Sequence, residues 1–251
     1  MSALREASGL AVSRRAPGRL WSHNDSGQPV LVAFDANGTV TATLQVTGAR
    51  VDDWEAIGSG PCDGGACLFV GDIGDNNATR AQISVYRVPE PADSAQAAAT
   101  SDVFHATYPD GAHDAETLLV APDGGLFVVT KGATGPIALY RFPRALQAGT
   151  SVKLERVGAP QPAGKGDTLI TDGAISPDGA WVVLRTKRAL LFYQAKEFLA
   201  GTWREAGRLD LTGLKEPQGE GVAFGPDRTI FLAGEGARAG SFGRLACGAA
   251  K

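Results

Sequence analysis

Several things are scarce in this chain, and each shortage excludes a class of function. No run of Lys or Arg is longer than Arg14-Arg15, and 24 basic against 27 acidic residues leave a formal charge of −3. The cationic stripe that a phosphate backbone or an anionic lipid surface demands is missing, so neither nucleic acid nor membrane is expected as a partner. Every apolar run stops within a few residues at Gly, Pro or a charge, well short of the ~20 residues that span a bilayer. No Gly-x-Ser-x-Gly elbow, P-loop or Gly-x-Gly-x-x-Gly occurs, which removes the usual serine-hydrolase and nucleotide signatures. Cysteine is limited to Cys62, Cys67 and Cys247, too few and too far apart for a paired C-x2-C zinc site.

Glycine and proline are plentiful, nearly a fifth of 251 residues and spread along the whole length. That distribution predicts many short strands joined by tight turns, an all-β chain forming one domain over residues 1–251. Cys62 and Cys67 bracket Asp63-Gly64-Gly65-Ala66 between two strand-like runs. A disulfide clasping a hairpin fits this spacing and implies an oxidising, secreted or periplasmic setting. No signal peptide is present and Met1 is the only methionine, as in a mature form given a start residue.

A repeat organises the chain. Glu116 to Lys131, Thr171 to Thr186 and Glu220 to Glu235 each read as an apolar strand, a Pro-Asp turn and a second apolar strand. Looser copies begin at Ser8 and Glu55, so successive copies are separated by 47, 61, 55 and 49 residues, the length of a four-stranded propeller blade. Third strands fall at Val30 to Phe34, Ile83 to Tyr86, Ile137 to Tyr140 and Leu190 to Tyr193, and fourth strands include Ser151 to Val157 and Trp203 to Leu211. Closing such sheets in a ring buries their faces and protects their edges. The expectation is a five-bladed β-propeller of four-stranded antiparallel blades, with a six-bladed ring containing one eroded blade as the alternative. The last copy has room for only three strands, which leaves ring closure without a swapped strand.

In a propeller the first strand of each blade lines the channel, so the residues opening each copy meet at one mouth. These are Ser8, Glu55, Glu116, Thr171 with Asp172, and Glu220; Glu6, Asp53, Asp114 and Gln218 stand two residues upstream. The ends of the second strands add Asn24, Asp72, Lys131, Arg185 and Glu235. Converging carboxylates repel one another unless a cation lies among them. Oxygen donors select Ca²⁺ first and Mg²⁺ or Mn²⁺ second, with Asn24, Glu55, Asp72, Glu116, Asp172 and Glu220 as the expected ligands. Asp35, Asp123, Asp178 and Asp227 are read instead as turn caps.

Lys131 and Arg185 face the acidic side of this mouth and suit a small anionic ester, clamped beside a metal-activated water. The alternative is that both neutralise Glu116 and Asp172 as structural ion pairs. His23 and His113, each beside a mouth residue, are candidates for moving a proton. His105 falls in a fourth strand on the rim.

Glu220-Gly-Val-Ala-Phe-Gly-Pro-Asp and Thr171-Asp-Gly-Ala-Ile-Ser-Pro-Asp-Gly resemble inner-strand motifs of the gluconolactonase and paraoxonase group of calcium-dependent propeller hydrolases. They are also similar to the phytase-like esterase propellers of secreted bacterial proteins. The resemblance covers only the strand starts of about four blades. It implies metal ligands at Glu220 and, by repeat position, at Glu55, Glu116 and Asp172. Two departures stand against it: those lactonases have six blades, and Ser8 replaces an acid. The expected activity is Ca²⁺-dependent hydrolysis of an ester, a phosphoester before a lactone or carboxyl ester. A propeller that only binds a glycan or protein around a structural ion is the reading of another class.

Overall fold

Strands of the first copy, β1 (Ala7–Val12), β2 (Arg19–Asn24), β3 (Val30–Asp35) and β4 (Val40–Thr47), pair in sequence order as one antiparallel sheet. The second copy continues with β5 (Trp54–Cys62), β6 (Gly65–Asp72), β7 (Ile83–Pro89), β8 (Ala98–Thr100) and β9 (Asp102–Thr107). The third contributes β10 (Ala115–Val120), β11 (Leu126–Thr130), β12 (Leu139–Arg141), β13 (Ser151–Lys153) and β14 (Glu155–Gly158). The fourth has β15 (Ile170–Ile175), β16 (Trp181–Thr186), β17 (Ala189–Gln194) and β18 (Glu205–Asp210), with a single helical turn α1 (Ala195–Phe198) after β17. The fifth has β19 (Gln218–Phe224), β20 (Thr229–Glu235) and β21 (Ser241–Ala246). The computed structural model describes residues 1–92, 95–159, 169–214 and 216–246; Cys247 lies outside them.

The chain is a five-bladed β-propeller. β1, β5, β10, β15 and β19 each pack on their two ring neighbours, and β19 returns to β1. Apolar clusters fill the wedges between blades, as where Trp21, Leu31 and Leu44 meet Trp54, Leu68 and Val70. Fully burying one such side chain contributes about 1.5–3 kcal/mol. Where inner strands come closest, only glycine fits: a Cβ on Gly9, at φ +71°, would stand 2.6 Å from the Ile57 nitrogen. Between Cys62 and Cys67, across the tip of the β5–β6 hairpin, the expected disulfide is present.

Two details differ from the four-stranded expectation. The predicted strand Ser151 to Val157 is split: β13 pairs in parallel with β9 of the second blade, and β14 joins its own blade beside β12. β8 likewise lies parallel to β4 of the first blade before β9 turns back onto β7. Buried Leu154, between β13 and β14, marks the crossing. Each connector therefore staples two neighbouring blades, making five-stranded sheets of blades 1 and 2.

Blade 5 has three strands among the described residues. Among the described residues no strand is shared across the closure of the ring. The Met1 amine donates to the Gly240 carbonyl at 2.8 Å, and Gly236 N–H donates to Arg5 O at 3.1 Å. Leu4, Ala7 and Leu10 pack on Ala223, Phe231 and Ala233.

Candidate functional site

Every inner strand has a register irregularity against its second strand, always at the same end. In blades 2 to 5 the extra, unpaired residue is Glu55, Glu116, Thr171 and Glu220 respectively. A bulge re-aims its side chain out of the strict alternation of the strand. In the sequence these positions open the repeat copies; the bulges explain why one site type recurs there. In blade 1 the irregularity lies between Ser8 and Ala11, and Ser8 Oγ donates to Glu55 Oε2 at 2.9 Å.

Three glutamates from three blades thus share one end of the channel, all buried. Burial first, then repulsion from Glu116 and Asp53, pushes the Glu55 carboxyl up to about 10. Glu116 is raised to about 8 by burial and by Glu220, against the pull of Lys131. Burial, with Glu235 adding repulsion, takes Glu220 to about 7, and its Oε2 has no hydrogen-bond partner. Asp53, half-buried, is raised by burial and by Asp114. At the same end Asp25 is raised to about 6, by burial and by Glu6 and Glu235.

Among the described residues the cation that pairs with this ring is Lys131. Its ammonium contacts the Glu116 carboxylate and stands 3.8 Å from Asp114 Oδ2. Burial works to lower the amine, but Glu116, Asp114 and Glu55 outweigh it and hold the amine above its ordinary value.

The remaining expected site residues are engaged elsewhere. Arg185 is fully buried; its Nη1 donates to the carbonyls of Gly221 (2.6 Å) and Ala233 (2.8 Å), and its Nη2 to Glu216 Oε2 at 2.5 Å. It is not equivalent to Lys131. Thr130 and Thr186 occupy matching ladder positions opposite Ala115 and Ile170. Lys131 follows its threonine and Arg185 precedes its own, so Arg185 lies two residues deeper, roughly 6–7 Å at the rise of a strand. Gly219 is required beside it, because any Cβ there would run into the guanidinium.

Asp172 is one residue past the bulge, so its carboxylate turns into the contact between blades 4 and 5. There Oδ2 accepts from Val222 N–H at 2.8 Å. Thr171 holds the bulge position and donates to Gly219 O at 2.9 Å. Asp72 accepts from the Asp52 and Asp53 amides (3.2 and 3.1 Å) and pairs with Arg80 at 2.8 Å. Asn24 accepts from Glu6 N–H and donates to Ala3 O, pinning the N-terminal segment.

Neither histidine is hydrogen-bonded to the glutamates among the described residues. His23 is buried edge-on against Trp54, its Nδ1 donating to Asn24 O at 3.0 Å, and burial lowers it to about 4. His113 is held by Asp110 (3.1 Å) and the Tyr140 hydroxyl (2.9 Å), on the third strand of blade 3. His105, in β9, meets the Ser84 hydroxyl at 3.0 Å. Arg80 and Glu216, the partners that occupy Asp72 and Arg185, are outside the repeat and had no signal in the sequence.

Carboxylate oxygens with one orphaned lone pair are donors of the kind a hard cation takes. Among the described residues, however, no three His, Cys, Asp or Glu side chains stand as a ready metal-ligand group. No protein-family model matches the chain, and no curated protein matches it significantly.

Proposed function

We propose that the acidic end of the channel takes a hard divalent cation, Ca²⁺ before Mg²⁺ or Mn²⁺, and hydrolyses an ester bond of a small anionic substrate. The observation that supports this reading is Glu220: a buried carboxylate with an unpartnered oxygen, in a ring with Glu55 and Glu116, all raised by burial. Such a ring is stabilised by protons or by a cation, and a cation of higher charge would displace the protons. Glu55, Glu116 and Glu220 would hold it, drawn together from their present positions. When bound, such a cation supplies Lewis acidity, lowering the pKa of water and polarising an ester oxygen.

The chain's own residues supply the rest. Ser8 orients Glu55 through its hydrogen bond. Lys131, displaced from Glu116, is the cation left to pair with an anionic group on the substrate, and Asp53 is placed to accept a proton. Arg185 is enclosed by protein contacts, so the preference for a phosphoester over a lactone rests on Lys131 alone. The Cys62–Cys67 disulfide supports a secreted or periplasmic location.

A second reading, a propeller that binds without catalysis, is favoured by one observation: both cations expected to clamp substrate are paired within the protein. Turnover of a phosphotriester, phosphodiester, phosphomonoester, lactone and aryl acetate, with Ca²⁺ and after EDTA, separates the two. Chelator-sensitive turnover that is lost in Glu220→Gln is expected. A Ca²⁺-dependent rise in melting temperature without turnover would select the binding reading, and no response to either reagent would end both.

A further inference from the structure

At the opposite end of the channel the inner strands finish around a cavity of about 510 Å³. Every blade gives it apolar wall residues, among them Val12, Ile57, Val120, Ile175 and Phe224. Pro17, Pro122, Pro177 and Pro226 form the turns at its rim. Val12, Ile175 and Phe224 are only half-buried: each packs on a core cluster with part of its surface and leaves the rest exposed.

Of the three serines that border this cavity, Ser13, Ser59 and Ser176, the first and last turn their hydroxyls into their own loops. Ser13 Oγ accepts from the amides of Arg15 and Ala16 at 3.2 and 2.8 Å. Ser176 Oγ donates to Asp178 and accepts from Trp181 N–H at 2.9 Å. Arg14 is the one charged residue of the lining among the described residues. It is exposed, and its guanidinium is in no ion pair described for the chain.

Ser176, Pro177, Phe224, Gly225 and Pro226 also border a second recess of about 670 Å³ between blades 4 and 5, lined by Trp181, Phe192 and Ile230 and by the charged Asp178, Asp227 and Arg228. The two hollows share that wall. Each has the size and apolar character of a small-molecule site rather than of a flat protein interface.

We propose that this end of the propeller binds a monoanionic amphiphile, a carboxylic acid with an apolar chain or ring system, its apolar body in the five-blade cavity and its carboxylate paired with Arg14. The apolar walls select the body through the area they remove from water. The Arg14 guanidinium at the five-blade cavity selects the sign of the head group, as a planar donor fork matched to a carboxylate. The site is independent of the glutamate ring, which lies at the other end of the same strands.

The test is calorimetric titration of the full chain with decanoate, decan-1-ol and decyltrimethylammonium, each with and without EDTA. Decanoate is expected to bind most tightly, with a negative heat-capacity change and no dependence on the chelator. Val12→Trp, which fills the cavity, should weaken decanoate at least tenfold; Ile175→Trp provides the same test if Val12→Trp does not fold. Arg14→Glu should weaken decanoate at least tenfold and leave decan-1-ol within twofold. Absence of decanoate binding, equal affinity for the three probes, or binding unchanged in the tryptophan variants would overturn the proposal. EDTA-sensitive binding would move the ligand to the glutamate ring and overturn it as well.

Discussion

The ammonium of Lys131, just past the end of β11, pairs with the carboxylate of Glu116, the bulged residue of β10 on the same blade. This pair puts the protein's own positive charge where the sequence pattern asks for a cation. It neutralises one carboxylate of three; Glu55 is left to burial and repulsion from Glu116 and Asp53, and Glu220 to burial and repulsion from Glu235. The electrostatics of the channel end therefore depend strongly on pH.

Glu220 makes that dependence measurable. Its carboxyl titrates near 4.5 when unperturbed and is pushed up to about 7 in the fold. Between these values the folded state binds more protons than the unfolded chain, so the stabilising contribution is full below pH 4.5 and is lost as pH rises through 7. Glu116 extends the fall toward pH 8. Glu220→Gln should gain on the order of 2–3 kcal/mol at pH 8 relative to pH 5 and flatten the profile. Urea unfolding at pH 5, 6.5 and 8 measures it; a variant curve parallel to the wild type refutes it.

Arg185 behaves as a structural cation. It ties β16 to the backbone of β19 and β20 and to Glu216. Arg185→Ala should cost about 3–5 kcal/mol, because Glu216 and two carbonyls lose their donor in a dry site. Arg185→Lys should recover little of this, since one ammonium cannot reproduce the planar fork. Denaturant melts of both variants decide it, and a lysine variant within about 0.5 kcal/mol of wild type would refute the assignment.

Arg228 carries backbone strain. Asp227 and Arg228 have φ of +52° and +59°, at the turn where Thr229 N–H donates to Pro226 O at 2.9 Å. Two residues with positive φ make the tight hairpin turn that prefers Asp-Gly. The matching turns of blades 3 and 4 use Gly124 and Gly179, at φ +82° and +70°. Arg228→Gly should raise stability by about 0.5–1 kcal/mol, the left-handed strain exceeding the extra entropy of an unfolded glycine. A lower melting temperature in calorimetry would count against this.

Much of the architecture was legible because each copy repeats a strand, a Pro-Asp turn and a strand at blade-length spacing, and that periodicity forces a ring. The acidic channel end was legible for the same reason: Glu55, Glu116 and Glu220 hold one repeat position.

What the sequence could not decide was direction and depth. Thr171 and Asp172 are neighbours, and a one-residue bulge alone determines that the hydroxyl takes the repeat position while the carboxylate turns to Val222. Lys131 and Arg185 read as equivalent strand ends, yet two residues along the ladder separate a cation at the glutamate ring from one sealed in the wedge between blades. The same holds for His23 and Asn24, which alternate across β2. Spacing in a sequence specifies which residues share a strand end. Only the register of paired strands and the packing of the neighbouring blade decide which side chain enters the channel and which is buried behind it, because a shift of one residue reverses the face a side chain occupies.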